Sequence, residues 1–114
     1  MRICKLKLNN EEYKLTLTRE SVKWLEANGF TIENFMAKPI TYYDLLWTSL
    51  FLTNHKNVNA NLALKLLETC EKEKGKKYVS NIVKFAIEEY ENFTSALADI
   101  ELNENEEKLE IMEA

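Results

Sequence analysis

The punctuation between Tyr13 and Asn59 leaves this chain little freedom. An alternating run ends at Leu17, Thr18 opens a helical pattern, and Asn28-Gly29 closes it. Pro39 breaks a short second segment, and Thr41 is read as opening a helix that is apolar on nearly every side. The 114 residues hold only two glycines and one proline. With so few breakers and many Lys, Glu and Leu, the composition favours helix joined by short loops. A chain of this length supports one small core.

Residues 3–17 read as a β-hairpin. Asn9-Asn10 suits a two-residue turn, because asparagine tolerates the positive φ that such turns need. The implied register pairs Leu8 with Glu11, Leu6 with Tyr13, Cys4 with Leu15 and Arg2 with Leu17. One face then carries Cys4, Leu6, Leu8, Tyr13, Leu15 and Leu17. The other carries Lys5, Lys7, Glu12, Lys14 and Thr16, with Ile3 the one apolar exception. A one-residue slip would exchange the faces, so this clean sorting supports the register. Two strands alone are marginal in water. The apolar face must rest on helices, or the edges must pair with another chain.

Thr18 is an N-cap with Glu20 in the first turn, and Val22, Trp24 and Leu25 point inward. Gly29 supplies a left-handed C′ residue, followed by Phe30. Thr31 caps a short turn carrying Ile32, Phe35 and Met36, which ends before Pro39. Thr41-x-x-Asp44 resembles a capping box. The helix expected from it holds Tyr42, Tyr43, Leu45, Leu46, Trp47, Leu50, Phe51 and Leu52, and stops near Asn54-His55. A helix apolar all round belongs at the centre of a fold. Asn59 caps a helix over about 60–74 with the stripe Leu62, Ala63, Leu66, Leu67 and Cys70, ended by Gly75. From about Lys77 to Leu102, Val79, Ile82, Val83, Ala86, Tyr90, Phe93, Leu97 and Ile100 recur at helical spacing.

Charge is uneven. The net is −4. Six glutamates and one lysine give residues 101–114 a net of −5, which leaves +1 for the first hundred residues. An acidic chain without a basic face is not built for nucleic acid. Residues 103–114 read as a solvated, mobile tail in which Leu109, Ile111 and Met112 could dock on a partner. Cys4 and Cys70 match no metal spacing and read as small buried hydrophobes. Met1–Leu8 has no secretory apolar region, and the stretch Tyr42–Leu52 is too short to span a bilayer. A reducing, cytoplasmic setting is expected.

Chemistry is hard to find. His55 is the only histidine. It sits at a predicted helix end with no Cys, Asp or Glu spaced to share a metal or a proton. The serines lie on predicted helices outside any nucleophile elbow, and two isolated glycines make no phosphate loop. No catalytic, metal or cofactor site is expected. The aromatics are more informative. Twelve are a large supply for a small domain, and a helix apolar all round needs cover on every side. Tyr42, Tyr43 and Trp47 are therefore candidate partner-binding residues, with Leu109, Ile111 and Met112 in the tail.

The run Tyr13–Leu17, then Thr18–Glu26, then Asn28-Gly29-Phe30, resembles the tail assembly chaperones of long-tailed phages and prophages of Gram-positive hosts. Pro39 and the aromatic helix running to Asn54-His55-Lys56 fit the same layout. The resemblance covers about residues 3–60, and only helical order and an acidic end agree beyond that. It implies a non-enzymatic protein of the host cytoplasm. Its role would be to keep the tail tube protein soluble before polymerisation on the tape measure protein. Tube and tape measure proteins would be its partners, self-association being a further possibility. It carries over no binding residue by position. The alternative is a small phage-encoded regulatory adaptor or inhibitor acting through protein contacts. A helix-turn-helix over Thr18–Lys38 is disfavoured, because Asn34 is the one base-reading side chain on Ile32–Ala37. The expected fold is α+β, mainly α. It is a single domain over 1–102, with hairpin 3–17 on a bundle of about four helices over 19–102.

Overall fold

A computed structural model gives the fold over residues 2–102, with side chains described through Ser95. Strands β1 (Cys4–Leu8) and β2 (Glu11–Leu15) form a two-stranded antiparallel hairpin. Its register is the expected one, Cys4 opposite Leu15, Leu6 opposite Tyr13 and Leu8 opposite Glu11. Asn9 and Asn10 take φ of 49° and 65°, the paired left-handed geometry whose twist matches the strands. Leu6, Leu8, Leu15 and Leu17 are buried, Cys4 and Tyr13 half-buried, and Ile3 stands in solvent.

Thr16 departs from the polar face assigned to it and is buried. Its N–H donates to the Leu50 carbonyl at 3.2 Å and its hydroxyl to the Arg2 carbonyl at 3.1 Å. Both bonds replace water, which makes the burial tolerable. The free edge of β2 is occupied as well. The Lys14 N–H donates to His55 Nε2 at 2.9 Å, and Asn54 Nδ2 donates to the Lys14 carbonyl at 3.1 Å. Two side chains thus stand in for a neighbouring strand at that residue. His55 serves the sheet edge, not the helix end where the sequence places it.

Five helices follow among the described residues: α1 (Arg19–Ala27), α2 (Ile32–Ala37), α3 (Pro39–Ser49), α4 (Ala60–Lys74) and α5 (Lys76–Leu102). Thr18 and Ser21 form a reciprocal capping box on α1, and the Thr18 hydroxyl also lies 2.7 Å from that of Thr53. Thr31 accepts from the Asn34 N–H on α2, and Asn59 from the Leu62 N–H on α4. Gly29 and Gly75, at φ of 83° and 95°, close the chain after α1 and α4.

The start of α3 corrects the sequence reading. Thr41 is not its cap and Asp44 completes no capping box. The helix begins at Pro39, after Lys38 at φ −135° and ψ 68°, with no side-chain cap bond. Proline at the first helical position has no N–H to satisfy and a φ already set for helix. The helix also stops earlier, at Ser49. Residues 50–52 continue as tight turns, with Leu50, Phe51 and Leu52 N–H groups bonding carbonyls three residues back.

Helix α3 touches each of the other four helices, as its apolar character requires. Trp47 Nε1 donates to the Ala63 carbonyl at 2.7 Å and ties α3 to α4 inside the core. Phe30 packs edge-on against Tyr90 of α5 at 4.8 Å between ring centres. Val79, Ile82, Val83, Ala86 and Tyr90 form the buried stripe of α5, while the side chains of Leu97 and Ile100 lie outside the described residues. On α4, Ala63, Leu66, Leu67 and Cys70 are buried but Leu62 is exposed. Both cysteines are free thiols, and burial pushes both upward in pKa.

Among the described residues, one charged side chain sits inside. Glu89 is buried and accepts from the Arg2 N–H at 3.1 Å and Arg2 Nε at 2.9 Å. Burial pushes its carboxyl up, and the Arg2 bonds and charge outweigh that and hold it below the ordinary range. These bonds fasten the start of the hairpin to α5.

Candidate protein-interaction surface

The junction of α2 and α3 carries the two most exposed large apolar side chains of the described residues, Met36 and Ile40. Helix α2 is one and a half turns long and buries no residue. Its Phe35 leans on Phe30, ring centres 6.3 Å apart, so this side faces the core. Ile32 and Met36, four residues apart on one face, point away from it. Met36 is 74% exposed and Ile40, just past Pro39, is 80% exposed. The Lys38 N–H donates to the Asn34 carbonyl at 2.8 Å and Asn34 Nδ2 to the Gly29 carbonyl at 2.8 Å, so the elbow is held by hydrogen bonds.

Beside Ile40 lies a groove of about 420 Å³ between the first turns of α3, the last turns of α4 and the start of α5. Pro39, Ile40, Tyr43 and Leu67 form its apolar lining, and Asp44, Glu71 and Lys76 its charged one. Burial, and then the nearby negative charge of Glu71, push the Asp44 carboxyl above its usual range. A smaller depression of about 200 Å³ lies between α1 and α5, lined by Val22 and Phe93 and by the polar side chains Arg19, Lys23, Glu26 and Thr94.

The sequence candidates separate here. Tyr43 lines the groove, half-buried, its hydroxyl 3.5 Å from Ser80 Oγ. Tyr42 is half-buried behind it and edge-on to Phe30 at 6.0 Å. Trp47 must be withdrawn as a partner-binding residue. It is fully buried and its only polar atom is bonded to Ala63, so it presents no surface to another chain. Leu109, Ile111 and Met112 lie outside the described residues. Helical periodicity does not single out Met36 and Ile40, the most exposed large apolar side chains of the described residues. Their signal is position: each lies within three residues of the Pro39 break, where helices have just ended or begun and fewer neighbours cover a side chain. Among the described residues, no three His, Cys, Asp or Glu side chains are grouped so as to hold a metal ion. Nor is any helix there long and apolar enough to cross a membrane.

A family model described as a domain of unknown function, DUF5055, matches residues 2–111. The chain belongs to the DUF5055 family. The match takes in the hairpin and all five helices, and the DUF5055 description names no activity. No curated protein and no solved structure matches the chain.

Proposed function

We propose that this chain is a non-enzymatic assembly chaperone of a long-tailed phage or prophage. It binds the tail tube protein in the host cytoplasm and keeps it soluble until it polymerises on the tape measure protein. The observation that carries the reading is the apolar elbow. Met36 and Ile40 stand in solvent beside an apolar groove, on a fold whose described buried side-chain polar atoms are all bonded. A fold that satisfies its interior this completely and still leaves large apolar groups outside has a surface suited to a partner. The resemblance over residues 3–60 supplies the partner's identity, and the acidic residues 101–114 supply solubility.

The test is co-expression of the tagged chain with the tail tube protein encoded beside it, the eluate being sized by light scattering. A small stoichiometric complex that holds the tube protein below its polymerisation state is expected. Unhindered polymerisation with no co-elution overturns the reading and turns attention to a regulatory adaptor.

A further inference from the structure

The groove beside Ile40 has an unbalanced charge pattern. Asp44 and Glu71 both line it, and burial together with the negative charge of Glu71 pushes the Asp44 carboxyl up. Among the described residues, ion pairs join Arg2 to Glu88 and Glu89, and Lys56 to Glu20, while neither Asp44 nor Glu71 has a cation within 4.0 Å. Lys76 lines the same groove without closing on either carboxylate. Two like charges sharing a partly desolvated apolar site repel each other, and a cation placed between them relieves that repulsion. The apolar walls from Ile40, Tyr43 and Leu67 ask for an apolar neighbour to that cation.

We propose that this groove docks a client segment presenting a lysine or arginine flanked by apolar side chains, the cation settling between Asp44 and Glu71. The inference deepens the chaperone reading and rests on it for the client's identity. The volume, at the lower end for ligand pockets, admits a few side chains of an extended or helical segment and not a folded domain. Arginine suits the position best, because its planar fork of N–H donors matches carboxylate geometry and it is more weakly hydrated than lysine. Such a contact selects partners by charge and weakens as salt rises.

The test uses the full chain labelled for NMR and two short peptides, acetyl-Leu-Arg-Leu-amide and acetyl-Leu-Glu-Leu-amide. The arginine peptide is expected to shift the Tyr43, Asp44 and Glu71 resonances, on the order of tenfold more tightly than the glutamate peptide. High salt, or the double substitution Asp44→Asn with Glu71→Gln, should erase the preference. Both sites are solvent-accessible and the changes isosteric, and an unchanged spectrum elsewhere shows that the variant is folded. Equal shifts with both peptides, or no shifts in the groove, overturn the proposal. So does a dimer in light scattering that blocks the groove to peptide, since a second copy would then be the occupant. The co-expression assay separates this from the parent reading. A double variant that still captures the tube protein as wild type does sinks the groove and spares the chaperone. Peptide preference without capture of the tube protein does the reverse.

Discussion

The two halves of α3 are alike in composition and opposite in fate. Its last four residues, Leu46–Ser49, and the following Leu50 and Phe51, are all buried. Its first three, Pro39, Ile40 and Thr41, are exposed, and Tyr42–Leu45 are intermediate. Isoleucine is as apolar as any residue in the buried half. What differs is the surroundings. The buried half has α4 on one side, with the Trp47–Ala63 bond, and the hairpin on another, with the Thr16–Leu50 bond. The exposed half has the short α2 ahead of it, and an open groove separates Pro39 and Ile40 from α4 and α5. Burial depends on what other elements reach a residue, and hydropathy along one helix does not report that.

The strongest way to break the comparison is Trp47→Ala. It removes the largest buried side chain of α3 and leaves the Ala63 carbonyl without its donor. A loss of about 3–5 kcal/mol is expected by urea or guanidinium unfolding. A loss under about 1 kcal/mol would mean that this half is not the core. Gly29→Ala comes next. A methyl there would meet nothing closer than the Tyr42 hydroxyl at 3.5 Å, an ordinary contact, so the cost is that of the left-handed backbone. Roughly 1–2 kcal/mol is expected. A neutral result in thermal unfolding would show that the turn before α2 relaxes.

Glu89 is the inverse of Ile40, a charged group that is inside. Its carboxyl is held below the ordinary value of 4.5, so the folded state binds fewer protons than the unfolded one near that pH. Its contribution to stability is therefore complete above the unfolded carboxyl range and fades as pH falls through the lower folded value. Unfolding midpoints taken from pH 7 downward should decline in wild type, and less steeply in Glu89→Gln. Parallel profiles would remove the Arg2–Glu89 contact from the account. The smallest effect is expected from Ile40→Ser, within about 0.5 kcal/mol in chemical unfolding. A larger cost would mean that Ile40 is covered in solution, and the exposed half of α3 would cease to exist as a surface.

Much of the fold was legible because its signals are local. Asn9-Asn10 with the two-residue alternation of Cys4–Leu8 and Glu11–Leu15 left one register that buried the leucines. Thr18, Thr31 and Asn59 cap as hydroxyl and amide side chains do, and Gly29 and Gly75 end helices as only glycine does cheaply. The start of α3 misled because two rules competed over two residues. Proline pushed Lys38 out of helix and also began the next one, while Thr41 offered a cap that no free end needed. The candidate surface was less legible. The helix pattern singles out Tyr43, which lines the groove, together with Trp47, which is buried, and not the exposed Met36 and Ile40, because exposure depends on which other elements reach a residue.

The chain's own order of residues determined the hairpin, its register, the caps and the sequence of helices, since each depends on neighbours within a few positions. Only the tertiary structure decided that Thr16 and Glu89 go inside, that Asn54 and His55 cover the β2 edge, and that Ile40 stays out beside Asp44 and Glu71. Those outcomes turn on partners from 14 to 87 residues away. Burying a polar group, or leaving an apolar one in water, is settled by whether such a partner arrives, and no local pattern carries that information.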